Sequence, residues 1–214
     1  MASMDVKEFI EQSTSVLDSA TNLDEQTTRT KLIDPFLRQL GWNLISSDVD
    51  LEYPVQMMSS NKQVDYALKI DSEPAVFIEA KRGDSSITEH NIGQLGDYMQ
   101  KEWVELGLVT NGHGFVALKL EPAEGGPPEI IKLGTVSLED LEENSWMLEL
   151  FSYDSIQKGE AEKIANNIVQ RERAIEHLRD NKDAIAEEVT EVVTRELDEA
   201  IHQESTELAT EFIE

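Results

Sequence analysis

Apolar positions fall into two rhythms along the first 150 residues. Residues 4–20 place Val6, Phe9, Ile10, Val16 and Leu17 at helical spacing. "NLDEQTTRTKLIDPFLRQLGW" continues that rhythm through Leu32, Ile33, Phe36, Leu37 and Leu40. Asn22 or Asp24 can cap this second helix, and Gly41 suits its left-handed end. Pro35 predicts a kink or a division into two pieces. The spacing then tightens to strand-like runs: "WNLI", "VDLEYPVQMM", "VDYALKI" and "AVFIEAK". "ITEHNIGQLGDYMQKEW" returns to helical spacing, with Thr88 as a cap. "LGLVTNGHGFVALKL" reads as two strands about an Asn-Gly turn, "EPAEGGPPE" as a surface loop, and "IIKLGTVSL" as a further strand leading towards a helix.

After about Tyr153 the texture changes. Gly and Pro cease beyond Gly159, and Ile164, Ile168, Ile175, Leu178, Ile185, Val189 and Val192 form a near-heptad seam. The pattern predicts an α/β domain over residues 1–150 and an acidic helical tail over 151–214. The tail is either one long helix or a helical hairpin broken at "RDNKD". Its seam supports a homodimer or a partner subunit through a coiled coil, or packing on the core or on itself. Arg171, Lys182 and Glu196 interrupt the seam and weigh against the dimer.

Charge changes the picture of partners. The 214 residues carry 18 Lys and Arg against 44 Asp and Glu, a net charge of -26. Such a surface repels the phosphate backbone at low salt, which argues against a simple nucleic-acid coat but not against a local site. With 39% hydrophobic residues, the chain does not have the composition of a disordered polymer. Scarce lysine and evenly spread acids fit the salt-rich cytoplasm of a halophilic archaeon. There is no cysteine, hence no disulfide framework and no thiolate metal site. The N-terminal stretch lacks a signal-peptide pattern, and no apolar run approaches the about 20 residues of a membrane span. A soluble cytoplasmic protein with no membrane partner is expected.

The chemistry concentrates in "VDYALKIDSEPAVFIEAKR". Asp65, Glu79 and Lys81 interrupt two otherwise apolar runs that flank the turn-like Asp-Ser-Glu-Pro. The midpoint between Asp65 and Glu79 is Ser72. A hairpin folded there sets the two carboxylates opposite each other, with Cβ atoms about 5 Å apart on one face. Lys81, two residues after Glu79, shares that face. Two close, buried carboxylates repel and resist ionisation. A divalent cation relieves both problems, and Mg²⁺ commonly takes one or two carboxylates plus water and substrate phosphate. Phosphodiester hydrolysis fits this set, and a structural ion pair of Lys81 with Glu79 or Asp65 fits it equally.

The order of "EQTTRTKLIDPFLRQLGW", "VDYAL", "FIEAKR", "QLGDY" and "LVTNG" resembles the PD-(D/E)XK nuclease superfamily, more narrowly the N-terminal nuclease domain of type I restriction enzyme R subunits. The resemblance covers roughly residues 25 to 120. It implies a restriction-endonuclease-like fold, a mixed central sheet flanked by helices. It implies Asp65 and Glu79 as ligands of Mg²⁺ or Mn²⁺, Lys81 as the catalytic lysine and Glu25 as a further acidic group of the site. Gln94 and Tyr98, four apart on one helix face, would position nucleic acid. Arg82 would either contact phosphate or lie in solvent. Each role has a plainer counterpart: Glu25 complementing a helix N-terminus, Tyr98 as a core aromatic, Gln94 solvated. Asn111 and Gly112 read as turn residues, and His90 and His113 as surface residues. DNA is the expected partner in restriction, defence or repair, with RNA not distinguished. A non-catalytic module that keeps the fold to bind nucleic acid or protein is the rival expectation. No Gly-x-x-x-x-Gly-Lys-Ser/Thr occurs, so no ATP-driven motor is expected in this chain, which reads as a stand-alone module or one part of a larger system.

Overall fold

Residues 6–20, 22–57, 60–123 and 125–194 are described by a computed structural model. Its contacts divide the chain into two units, Met1–Ala165 and Asn166–Glu214. In the first unit, α1 (Val6–Ser19) precedes α2 (Glu25–Thr28), a π-helical turn (Arg29–Ile33) and α3 (Asp34–Gln39). Then come β1 (Val49–Met57), β2 (Ser60–Ile70), β3 (Glu73–Ala80), α4 (Glu89–Glu102), β4 (Leu106–Thr110), β5 (Gly114–Glu121) and β6 (Glu129–Ser137). Two short helices follow, α5 (Ser145–Phe151) and α6 (Tyr153–Gln157).

The six strands lie side by side in chain order. β3 and β4 run parallel and every other neighbouring pair is antiparallel. Parallel neighbours need a crossover, and α4 supplies it. This is the expected restriction-endonuclease-like arrangement, a mixed sheet flanked by helices. α4 packs on the sheet through Leu95, Tyr98 and Met99, which join Phe77, Val109, Val116 and Leu118 in a buried cluster. From the second helical region, Phe36 stacks against Phe9 of α1 and Phe115 of β5, at centroid distances of 5.8 and 4.7 Å.

The local signals explain most boundaries. Asp24 caps α2 by accepting from Thr27 N–H at 2.8 Å. Pro35 does divide the second helical region. In a regular α-helix its ring would strike the carbonyl of Lys31. The chain instead widens by one residue, and Asp34 N–H reaches back to Arg29 O. Gly41, at φ 90°, ends α3 while Trp42 N–H bonds Leu37 O at 3.0 Å. Thr88 and Asn91 form a reciprocal capping box on α4.

One expected strand is absent. "WNLI" is a turn, because the Asn43 carbonyl and side chain take the amides of Ser46 and Ile45, at 3.0 and 3.3 Å. Trp42 is buried with its indole N–H on Phe151 O at 2.9 Å, and Ile45 is 94% exposed. The apolar run therefore belongs to a turn with one anchor.

Helix α7 (Glu160–Asp180) spans the boundary between the units, and the second unit also holds α8 (Lys182–Thr194). The interruption, at Asn181, falls inside "RDNKD". Asn181 N–H donates to His177 O, and Ile185 N–H to Asn181 O. Glu196 and the seam beyond residue 194 lie outside the described residues. Among the described residues no helix is long and apolar enough to cross a membrane.

Candidate active site

The hairpin of β2 and β3 sets the geometry. Its turn is only Asp71-Ser72, both at positive φ (51° and 73°), as a two-residue turn of type I′ requires. Strand pairing resumes at once, with Ile70 opposite Glu73 and Lys69 opposite Pro74. Continued unbroken, that register would leave Asp65 and Glu79 one residue out of step. An irregularity between Leu68 and Lys69 absorbs one extra residue on β3. Beyond it Leu68 faces Val76 and Tyr66 faces Ile78. Carried one step further, that register sets Asp65 opposite Glu79, and the Asp65 carboxylate reaches Ala80 N–H beside it. The opposition follows from a tight turn plus a bulge and not from a wider turn centred on Ser72.

Glu79 is 5% exposed. Its Oε1 accepts from Lys81 Nζ at 2.8 Å and from Gln94 Nε2 at 3.1 Å. Gln94 Nε2 also donates to the Tyr98 hydroxyl at 3.0 Å. Gln94 and Tyr98 thus lie on one face of α4, as their spacing predicts, and that face is turned to the acidic pair. Glu79 Oε2 is buried and accepts no hydrogen bond. Burial, then the nearby Asp65 charge, push the Glu79 carboxyl up to about 7, against the opposing pull of Lys81.

Asp65 is held differently. Its Oδ2 accepts from Ala80 N–H across the hairpin at 2.7 Å, and its Oδ1 faces Arg29 Nη1 at 3.3 Å. Burial raises its pKa, and these two donors oppose the shift. Glu25 is exposed at the start of α2, and its charge raises both carboxyls, less than the causes named above. Gly83 N–H clips this region to the segment after Lys81, donating to Leu23 O and Thr28 Oγ1 at 3.0 and 2.9 Å. Arg82 points elsewhere: it is exposed and forks onto Asp84 at 2.9 and 2.7 Å. Asn111 forms the expected turn and also donates to Ser85 O at 2.7 Å, tying the turn to the loop before α4.

Three participants have no mark in the sequence reading: Arg29, Glu52 and Tyr66. Arg29 bonds Glu52 and the Tyr66 hydroxyl, and its guanidinium lies 4.9 Å from the Tyr66 ring centre. Burial works against its charge, and the bonds to Glu52 and Tyr66 outweigh it. Tyr66 in turn donates to Asp34 at 2.9 Å. Arg29 was legible in principle, since it follows Glu25 by four residues on one helix. Glu52 becomes visible only once β1 pairs with β2.

A cleft of about 610 Å³ adjoins Glu79 by way of Gln94 and Tyr98. Met57 and Lys62 line one side, and His90 and Asp97 the other. Its size is that of an ordinary small-ligand site. His90 borders this cleft as an exposed residue. Among the described residues no group of three or more His, Cys, Asp or Glu is placed to hold a metal ion. The acidic pair offers two carboxylates, one with an open oxygen.

The sequence model of the type I restriction enzyme R protein N-terminus matches residues 24–132, just over half of the chain. The chain belongs to this family. The matched segment of this R-protein N-terminal domain contains every site residue named above. Two solved structures are similar to it. The cryo-EM structure of the DrdV–DNA complex is 14% identical over 89% of this chain and 17% of that one, with a TM-score of 0.45. A fragment described as an HsdR subunit of a type I restriction enzyme from Vibrio vulnificus is 22% identical over 61% of this chain and 27% of that one, with a TM-score of 0.41. The R-protein N-terminal domain spans under a third of either chain. No curated protein matches it.

Proposed function

We propose that this chain is a divalent-metal-dependent nuclease that hydrolyses phosphodiester bonds of DNA, in restriction, defence or repair, in the cytoplasm. The observation that carries the reading is Glu79 Oε2, a buried carboxylate oxygen with no protein partner, on a residue that faces a second carboxylate. Leaving such an atom bare is costly unless something else satisfies it. Hard cations take oxygen ligands, and two carboxylates with remaining positions for water and phosphate suit Mg²⁺ or Mn²⁺. Asp65 and Glu79 would hold the ion. It would supply charge compensation for the phosphoryl oxygens and a water of lowered pKa.

The chain's own groups divide the remaining work. Lys81, tied to Glu79 at 2.8 Å, is placed to orient the attacking water and take part in its deprotonation. Gln94 fixes one Glu79 oxygen, which leaves the other for the ion. Tyr98 steadies Gln94, and the adjoining cleft gives a DNA strand a path beside the pair. Glu25 adds negative charge at the mouth, and Arg82 lies near enough to Asp24 and Glu25 to meet phosphate there if it leaves Asp84.

One observation favours a second reading. Arg29 already occupies Asp65, as it would in a site closed by ion pairs and kept for binding DNA, RNA or a protein. Metal-dependent cleavage separates the two. Plasmid and single-stranded DNA are incubated with Mg²⁺ or Mn²⁺ from low to molar KCl, beside Lys81→Ala. Cleavage is expected with the wild type, and a fall of about 10²–10⁴-fold in the variant, the usual worth of positioned acid–base help. A folded wild type that cuts nothing in any condition overturns the nuclease reading, as does a Lys81→Ala variant that cuts at the wild-type rate.

A further inference from the structure

The ladder between β1 and β2 pairs Leu51 with Tyr66 and Tyr53 with Val64, and skips the residue between them. That residue is Glu52, and the position it would face is Asp65. In a regular ladder the two carboxylates would stand side by side. Glu52 instead has φ 53°, a left-handed conformation that an L-residue with a full side chain adopts at a cost. The reward for that cost is Arg29, whose Nη1 touches both Glu52 Oε1 and Asp65 Oδ1. The longer contact, 3.3 Å, is the one to Asp65. Arg29 is also held by the Tyr66 hydroxyl and ring, and by the Asp65 carbonyl at 3.5 Å, none of which involves the Asp65 carboxylate.

This arrangement matters for a carboxylate that must take up a cation. A part-buried arginine deprived of its partner is costly, so an Asp65 paired with Arg29 alone would resist giving it up. With Glu52 present, the guanidinium keeps an anion when Asp65 turns to the metal. We propose that Arg29 and Glu52 are positioning residues of the metal site: Arg29 is the counter-ion of Asp65 in the metal-free protein, and Glu52, already its second partner, keeps it paired when a divalent cation draws Asp65 away. The inference rests on the metal-site reading above, and it makes opposite predictions for the two residues.

The test is Mn²⁺ binding, read by calorimetry and by the loss of the free-ion spin-resonance signal, with no substrate present. Arg29→Gln is expected to bind Mn²⁺ about tenfold more tightly, because Asp65 no longer has a competing cation. Glu52→Gln is expected to bind about tenfold more weakly, because Arg29 is left with Asp65 as its one anionic partner. In the double variant the effect of Glu52→Gln should vanish, since it acts through Arg29. Two results overturn the proposal while leaving the metal site standing: Arg29→Gln also weakens binding, or Glu52→Gln weakens it equally with and without Arg29. If neither the wild type nor Arg29→Gln binds Mn²⁺, the metal-site reading falls and takes this one with it. Glu52→Gly guards against a folding artefact, because glycine relieves the left-handed backbone while removing the carboxylate. It should melt no lower than the wild type and still bind Mn²⁺ more weakly. Unchanged binding in that variant overturns the role of Glu52.

Discussion

At the scale of single residues, Glu79 determines how the metal-free site responds to pH. An ordinary glutamate titrates near 4.5, and this one is pushed up to about 7 in the fold, first by burial and then by Asp65. Between those two values the native protein holds a proton that the unfolded chain has released. Stability therefore falls as pH rises through this window and levels off above about 7. The loss attributable to Glu79 is on the order of 3 kcal/mol. Asp65, also raised, adds in the same direction. Urea unfolding in chelator from pH 4.5 to 8 should show wild-type stability declining relative to Glu79→Gln. A difference that stays flat across the window would mean that the carboxyl is not held in this environment. Gln94→Ala should leave the fold intact and weaken Mn²⁺ binding by a few fold, because Glu79 loses one of the two donors that orient it. Calorimetry checks this, and a variant that binds as the wild type does would leave Gln94 without a part in holding Glu79.

At the scale of elements, the site exists because two irregularities are built into otherwise ordinary pieces. The bulge at Leu68/Lys69 restores the opposition of Asp65 and Glu79 after a turn that would have spoiled it. The π-helical turn forced by Pro35 begins at Arg29, the residue that meets Asp65. Neither is written in the apolar rhythm, which reports only which face of an element is buried. "WNLI" shows the same limit from the other side: four residues cannot distinguish a strand from a turn when one buried indole accounts for their burial. The Asn-Gly turn is better specified. Gly112 has φ 86°, and a Cβ there would lie 2.8 Å from Leu32 Cβ. Gly112→Ala combines a left-handed backbone with overpacking, so it should cost about 2–4 kcal/mol. Chemical denaturation measures this, and a loss below about 0.5 kcal/mol, the range of an ordinary surface substitution, would show that the turn can rearrange.

At the scale of the whole molecule, the net charge of -26 dominates. Self-repulsion of that size opposes the compact state and any approach to DNA, and both effects are screened by salt. The melting temperature should rise as KCl is increased from about 0.05 to 2 M, the range over which the Debye length falls from more than 10 Å to below 3 Å. A melting temperature that is constant or falls over that range would remove the salt-rich host from consideration. The same screening is the reason to assay cleavage across the full range of salt. Family membership is carried by residues 24–132, the segment with the mixed sheet and the acidic pair. The acidic helices beyond it lie outside that match.

The order and type of nearly all elements, the acidic hairpin with its lysine, and the helix face bearing Gln94 and Tyr98 are legible along the chain alone. These follow from periodicity, capping residues and spacing, which act over a few neighbours along the chain. The tertiary structure alone decided that one Glu79 oxygen is left bare, that Arg82 turns to Asp84, and that Arg29 stands between Glu52 and Asp65. Those outcomes depend on burial and on contacts between segments 20 to 40 positions apart, or on which of several nearby charges a flexible side chain meets. Nothing in the local pattern specifies either.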